Sequence, residues 1–185
     1  IGESEEENRL KMTMPGRGFI QGFLARARDA GCQFTILEVT SEGIAQSRHR
    51  FVDFAAGVLT NITPEHIESH GSFERYRAAK LELFQGLKPD GVAVLNRDDA
   101  PSAALFAAAT PARVVWYSST AIEVGDLRYV VRVTGVHKNR IHFEIGEVFF
   151  EAHLGGEFNT PNILAVCATA IALGIPLPTI ASGLK

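Results

Sequence analysis

Lys80 is the residue of this sequence whose position most directly suggests chemistry. It falls within the apolar stripe of a predicted helix, in which Phe73, Tyr76, Leu83 and Leu87 recur at helical spacing. A lysine at a core-facing position is costly unless its charge is paired or lost. Two interpretations stay open: a buried stem whose ammonium reaches solvent, or an amine held for a chemical role.

Carboxylate and histidine side chains near this helix suit metal binding. Glu38 stands at the carboxyl end of a predicted strand, where ligands of open α/β sheets gather and where oxygen ligands suit magnesium. His66 and His70 lie four apart on a predicted short helix that begins at Pro64. A zinc hydrolase could use such a pair, but a metalloprotease needs a glutamate directly after the first histidine, where this sequence has Ile67. The pattern therefore disfavours a zinc hydrolase of this type.

The elements that would position these residues alternate between strand and helix as far as Ser119. Apolar runs rich in β-formers predict strands, and helical patterns between them predict helices; the strands cover residues 34–40, 55–61, 91–95 and 114–117. Shorter runs then follow at residues 129–136, 140–145 and 148–153. The predicted fold class is α/β: a mostly parallel sheet flanked by helices, with a small added antiparallel β-sheet.

Other polar residues are predicted to have structural roles. Residues 96–99 (Asn-Arg-Asp-Asp) are expected to cap the helix that starts at Pro101. His137, His142 and His153 show no ligand spacing and are expected to face solvent on strands.

Composition narrows the class of protein. The chain has 185 residues, of which 46% are hydrophobic and 21% charged, as in an ordinary globular domain. The net charge of −3 gives no sign of nucleic-acid binding. Cys32 and Cys167 suggest no disulfide framework. The longest apolar run is too short for a membrane span, and no secretory signal opens the chain, which does not begin with methionine. A cytoplasmic location is expected.

Residues 61–84 resemble the Mur ligases, which use ATP to join amino acids to the peptidoglycan precursor. That family has Thr-Asn at a strand end, then Asp/Glu-His, His-Gly and Tyr-x-x-Ala-Lys. Here these motifs are Thr60-Asn61, Glu65-His66, His70-Gly71 and the run from Tyr76 to Lys80. The tripeptide synthetases, which add the third residue, are the most similar members, since they share a Glu-Val motif at residue 38 and Gln-x-Arg at residues 46–48.

This resemblance implies a catalytic set. Glu38 and His66 would bind magnesium, and Lys80 would be carbamylated by carbon dioxide to give an anion beside the metal. Burial favours the neutral amine, which is the form that reacts with carbon dioxide. ATP would phosphorylate a carboxylate of the UDP-MurNAc-peptide to an acyl phosphate, which the amine of an amino acid would then attack.

The resemblance also implies ligand-contacting residues. The UDP-MurNAc-peptide would be held by Thr13, Thr40, Gln46 and Arg48. Met14 and Glu42 depart from the family pattern, which usually has threonine and histidine there. A Gly-x-Phe-Asn-x-x-Asn pattern, shared with the related folylpolyglutamate synthetases, would place Asn159 and Asn162 near adenine; capping of a helix is the alternative.

A phosphate-binding loop of the type G-x-x-x-x-G-K-[ST] does not occur in the sequence. In the Mur ligases this loop precedes the matched region and an amino-acid-binding domain follows it. Residues 1–185 are therefore expected to be a central ATP-binding domain that is incomplete at both ends and inactive alone. The alternatives are a folylpolyglutamate synthetase-like ligase and a non-catalytic binding module.

Overall fold

A computed structural model describes residues 12–63 and 70–185 of the chain. The chain divides into two compact units, each made of two segments: Ile1–Asp53 with His66–Leu83, and Phe54–Glu65 with Phe84–Lys185. The predicted short helix that begins at Pro64, and with it His66, lies outside the described residues. None of the helices that are described, the longest of which has 13 residues, has the length and hydropathy of a membrane span.

The first unit is built from helices. They are α1 (Arg17–Asp29), α2 (Ser41–Ala45) and the part of α3 (Phe73–Gln85) that runs to Leu83. Gly31 adopts a positive φ of 75° just after α1, a conformation that suits glycine at the end of a helix. The Ser72 hydroxyl caps α3 by accepting a hydrogen bond from the Arg75 N–H at 3.2 Å.

The strand predicted for residues 34–40 is wrong. These residues form no strand, and the side chains of Phe34 and Ile36 are 56% and 93% exposed. Apolar β-formers need a neighbouring strand to complete a hydrogen-bonded ladder, and the described residues of the first unit contain no strand. Glu38 therefore lies on an irregular segment that leads into α2.

The second unit contains one seven-stranded sheet whose strands follow one another in chain order. The strands are β1 (Ala56–Leu59), β2 (Val92–Asn96), β3 (Arg113–Tyr117), β4 (Ala121–Val124), β5 (Leu127–Val136), β6 (Ile141–Ile145) and β7 (Val148–Ala152). The first three are parallel, and each later strand is antiparallel to the one before it. The predicted fold class is confirmed. The unpredicted strand β4 makes the antiparallel part continuous with the parallel part.

Helices complete the second unit. They are α4 (Ala100–Ala109), a 3₁₀ turn (Glu157–Asn159), α5 (Thr160–Ala172) and α6 (Leu177–Gly183). α5 packs against β1 to β4, and α6 packs against β7. The core of this unit joins Val115, Ile141 and Phe150 of the sheet to Leu164 of α5. Val166 lies on the outer side of α5 and is 54% exposed, because the helix buries the face that carries Leu164, Ala165 and Ala168.

Candidate functional site

A cleft in the first unit is lined by two of the predicted site residues, Thr13 and Glu38. Its volume is about 240 Å³, and its remaining lining is apolar except for Arg26. The carboxylate of Glu38 is exposed and forms no hydrogen bond or ion pair with any described residue. Its oxygens are therefore open to a ligand or a cation that enters the cleft.

Arg48 connects the loop of Thr13 to the loop that follows α2. Its guanidinium donates to the carbonyl of Met14 and to the side-chain oxygen of Gln46, and it also contacts the sulfur of Met12. The structure thus places Arg48 against both chain neighbours of Thr13 and against Gln46, and the common role of these residues stays a prediction. A planar guanidinium can make these contacts at once, which a lysine ammonium would do less well.

Met14, which stands where the Mur ligases usually have threonine, is explained by packing. Its side chain is 3% exposed, and its sulfur lies so close to Gly43 of α2 that a Cβ on Gly43 would fall within 2.2 Å of it. Met14 is therefore a core residue, and Gly43 supplies the space for it.

Thr40 and Ser41 begin α2. The Thr40 hydroxyl accepts a hydrogen bond from the Gly43 N–H at 3.1 Å, so this predicted substrate contact serves as a helix cap in the structure. Ser41 is 5% exposed, and its hydroxyl lies 3.0 Å from Nε2 of His70. Sequence reasoning gave Ser41 no role, because its burial comes from the way that the chain returns at His70.

Lys80 lies on α3 and is half-buried. Its Nζ atom is 5.2 Å from the ring centroid of Tyr76, a geometry that suits a cation–π contact, and Tyr76 itself is 5% exposed. The edge of the His70 ring meets Tyr76 at a centroid distance of 5.6 Å. The lysine side chain thus lies against the ring of Tyr76, a position that fits both an ammonium that reaches solvent and an amine held for a chemical role.

The loop after α2 carries backbone strain that the sequence did not reveal. Ser47 and Phe51 adopt positive φ angles of 56° and 69°, which L-residues seldom do. Gln21 of α1 donates to the Phe51 carbonyl at 2.8 Å and so holds the loop. Burial, opposed by Glu82, lowers the pKa of His49, and its Nδ1 finds no partner among the residues described. Strained residues of this kind cluster at functional sites.

In the second unit, a network of hydrogen bonds ties together the carboxyl ends of the parallel strands. Asp99 accepts from the Ile62 N–H at 2.9 Å, and Asn96 donates to the Thr60 carbonyl at 2.9 Å. The phenol of Tyr117 donates to the carbonyls of Leu59 and Thr60.

Residues 96–99 have a structural role, as predicted, but they do not cap the following helix, which was the role predicted for them. Asp99 occupies the cap position of α4 without a side-chain capping bond. The side chains of Asn96 and Asp99 bond the segment that follows β1 instead of capping a helix, because the carbonyl of Thr60 and the N–H of Ile62 lie within their reach.

Asn159 and Asn162 lie at the start of α5. The Asn159 side-chain amide donates to the Gly155 carbonyl at 2.8 Å and makes no capping bond to α5, while Asn162 is exposed. Gly155 has no room for a side chain, since a Cβ there would fall 2.1 Å from the Lys138 carbonyl oxygen. The capping alternative thus fails for Asn159, whose carbonyl oxygen stays available as an acceptor.

His142 lies on β6, whereas His137 and His153 follow the last residues of β5 and β7, so the predicted strand position is wrong for these two. His142 and His153 each place Nε2 at 3.0 Å from a different oxygen of Glu151, and Arg140 is also near this carboxylate. These bonds lower the pKa of Glu151. Throughout residues 12–63 and 70–185, no group of three or more histidine, cysteine or acidic residues could hold a metal ion.

Comparison with known proteins identifies the class. The family model of the Mur ligase middle domain matches residues 4–170. A UDP-N-acetylmuramoyl-L-alanyl-D-glutamate–2,6-diaminopimelate ligase of Trichormus variabilis is 36% identical over 177 residues, covering 93% of this chain and 35% of the relative. The UDP-N-acetylmuramyl-tripeptide synthetase 2 of Oceanobacillus iheyensis is 33% identical over 174 residues, covering 89% of this chain and 34% of the relative. The chain thus spans about a third of the length of these relatives.

Solved structures agree on the fold. MurF from Acinetobacter baumannii superposes with a TM-score of 0.58 at 24% identity, covering 70% of this chain and 28% of that one. MurF from Thermotoga maritima in complex with ADP gives a TM-score of 0.56 at 18% identity, covering 78% of this chain and 33% of that one. The sheet and helices of this chain therefore have the fold found in these two MurF structures. The chain belongs to the Mur ligase family.

Proposed function

We propose that this chain forms the middle domain of a cytoplasmic, ATP-dependent ligase that joins an amino acid to a UDP-MurNAc-peptide in peptidoglycan synthesis. Family membership supports the reaction class, and the names of the relatives support UDP-MurNAc-L-Ala-D-Glu as the acceptor. The γ-phosphoryl group of ATP would pass to the acceptor carboxylate and release ADP. The amine nitrogen would then attack the acyl carbon, lose a proton and expel phosphate.

Arg48 is the observation that carries this proposal. It bonds Gln46, two residues away, and the carbonyl of Met14, which is 34 residues away and directly follows the predicted substrate contact Thr13. A guanidinium carries several donors in a planar fork, so Arg48 can hold the carbonyl of Met14 and still present donors to a ligand. In the proposed ligase, Arg48 fixes the Thr13 loop and turns part of its fork toward an anionic substrate.

Glu38 fits the magnesium site that the family implies. Magnesium takes carboxylate oxygens, and those of Glu38 are exposed at the cleft and make no hydrogen bond or ion pair with a described residue. Glu38 and His66 would hold the ion, which when bound neutralises the charge of the phosphate groups. Lys80, as a carbamate, would add a second carboxylate-like group from α3.

Asn159 and Asn162 are proposed as the adenine contacts. Because the Asn159 amide nitrogen is engaged with Gly155, its oxygen is the atom left to accept from the exocyclic amine of adenine. The exposed Asn162 lies three residues along on the first turn of α5 and offers both a donor and an acceptor.

Titration of UDP-MurNAc-L-Ala-D-Glu into the chain by calorimetry tests the proposal. We expect binding that Arg48→Ala weakens by about tenfold or more, because charged hydrogen bonds are worth about 1.5–3 kcal/mol. Arg28→Ala is the matched control, since Arg28 is exposed and pairs only with its neighbour Asp29.

Equal binding by the two variants would remove the role of Arg48, and no binding by the unmodified chain would remove the proposed acceptor. The full-length protein that contains this chain should also release phosphate from ATP only when both the acceptor and an amino acid are present. ATP hydrolysis that ignores the acceptor would refute the ligase assignment.

A further inference from the structure

His70 forms a bridge between two segments of the first unit that carry proposed site residues. On one side, its Nε2 lies 3.0 Å from the hydroxyl of Ser41, 29 residues away in the chain. On the other side, the edge of its ring meets the ring of Tyr76, at a centroid distance of 5.6 Å and an interplanar angle of 63°. His70 is half-buried, and Gly71 follows it with a φ of +77°.

The Ser41 side of this bridge controls the segment that contains Glu38. Ser41 is the first residue of α2 and is only 5% exposed. A buried hydroxyl needs a hydrogen-bond partner, and His70 supplies it. Together with the Thr40 cap, this bond fixes the point at which the irregular segment of Glu38 enters a helix.

The Tyr76 side of the bridge controls Lys80. Tyr76 is 5% exposed, and Lys80 lies one helical turn further along α3 with its Nζ atom 5.2 Å from the Tyr76 ring centroid. The orientation of the tyrosine ring is therefore one determinant of where the end of the lysine side chain rests. An aromatic edge against a ring face is a favoured and directional contact, so His70 restrains that orientation.

We propose that His70 is a positioning residue: through Ser41 and Tyr76 it sets the segment of Glu38 and the side chain of Lys80 in fixed places within the first unit. The chemical importance of this arrangement rests on the proposed function, which gives Glu38 and Lys80 their roles. The geometric part of the inference concerns only Ser41, His70, Tyr76 and Lys80, and it can be tested separately.

Four variants separate the two sides of the bridge. His70→Phe keeps a ring against Tyr76 and loses the bond to Ser41, whereas His70→Gln keeps a polar group for Ser41 and loses the ring. Ser41→Ala removes the bond from the other side. Ser72→Ala is the matched control, because it deletes the cap of the same helix α3 without touching the bridge.

Two measurements on the chain report on Lys80. The first is the carbon–proton NMR signal of its ε-methylene group, whose chemical shift depends on the nearby Tyr76 ring. This signal is assigned by its absence from the spectrum of Lys80→Ala. The second is the fraction of Lys80 present as carbamate in ¹³C-bicarbonate, read from the carbonyl carbon signal. A general loss of helix stability, as in Ser72→Ala, should leave both unchanged in the folded protein.

We expect His70→Gln to move the methylene signal toward that of an exposed lysine. His70→Gln, His70→Phe and Ser41→Ala should each lower the carbamate fraction, by about threefold or more given usual coupling energies. Ser41→Ala combined with His70→Phe should lower it no further than either single change, because both remove the same bond.

The inference is overturned if His70→Gln and Ser41→Ala leave both signals where Ser72→Ala leaves them. Strictly additive losses in the double variant would also overturn it. If the unmodified chain shows no carbamate, the proposed chemistry of Lys80 fails, and the methylene signal alone then decides the positioning. Should a His70 variant not fold, Ser41→Ala tests the same bond from its other end.

Discussion

Tyr117→Phe should weaken the second unit by an amount that follows from its hydrogen bonds. Tyr117 is 1% exposed, and its phenol donates to the carbonyl of Leu59 at 3.1 Å and to that of Thr60 at 3.2 Å. Leu59 is the last residue of β1, and Thr60 begins the Thr60-Asn61 motif. The change to phenylalanine keeps the ring and removes only the hydroxyl.

The expected loss lies at the lower end of the usual range. Leaving a buried acceptor without a partner costs about 1–3 kcal/mol. Thr60 keeps the bond from Asn96, so only the Leu59 carbonyl loses its side-chain partner. We therefore expect about 1–2 kcal/mol, which corresponds to a fall in Tm of roughly 2–4 °C for each kcal/mol in a protein of this size.

Thermal and urea unfolding followed by circular dichroism would measure this loss. Tyr129→Phe is the control, because Tyr129 is half-buried on β5 and no described residue bonds its hydroxyl. Equal losses in the two variants would refute the assigned bonds.

The pH dependence gives a second check. Burial, with Asp98 and Asp99 nearby, raises the pKa of Tyr117 above its ordinary value of 10.0. Because the folded state holds the proton more tightly, the stability from this group is fully present below pH 10.0 and falls as the pH rises further. The difference between the unmodified chain and Tyr117→Phe should therefore shrink above that pH; a difference that grows would contradict the reasoning.

Four other outcomes are expected. In the full-length ligase, Lys80→Ala should abolish ATP-dependent ligation, and acetate or bicarbonate should restore part of it by supplying a carboxylate. Normal ligation by this variant would refute the assignment of Lys80 as a carbamate. Glu38→Ala should lower magnesium-dependent turnover and leave the Tm of the chain unchanged. The control Glu42→Ala, also at an exposed residue, should change neither the turnover nor the Tm. Ser47→Gly should raise stability by about 0.5–1 kcal/mol in urea unfolding, because a φ of 56° suits glycine better than serine; a loss would show that the angle is not strained. Glu151→Gln should reduce the loss of folding stability that acid causes. Because the pKa of Glu151 is lowered in the folded state, its contribution to stability is present above the ordinary glutamate pKa and is lost as the pH falls through the folded value. An unchanged dependence of stability on pH in acid would contradict the histidine bonds.

The sequence predicted best those elements whose pattern is local and repeated. Buried parallel strands such as β2 are continuous apolar runs, so their position followed from composition alone. The ends of α1 and the cap of α3 depend on Gly31 and Ser72, whose conformational preferences act over a few residues. For the same reason the motif from Tyr76 to Lys80 could be placed on a helix without any structure.

Predictions failed where the outcome depended on a distant partner. Residues 34–40 have the composition of a strand, but a strand exists only beside another, and none is described in that unit. The short strand β4 was missed because its four residues are held by pairing with β3 and β5 rather than by any preference of their own.

The sequence by itself determined the family, the alternation of the elements and the types of the proposed site residues, since motifs and periodicity are properties of neighbours along the chain. Only the tertiary structure decided which of those residues meet. In the folded chain Arg48 bonds Met14 and Ser41 bonds His70. Asn96 and Asp99 bond the segment that follows β1 instead of capping a helix. The physical reason is that a polar side chain bonds whichever partner the fold brings within about 3 Å, and no local pattern encodes a partner tens of residues away.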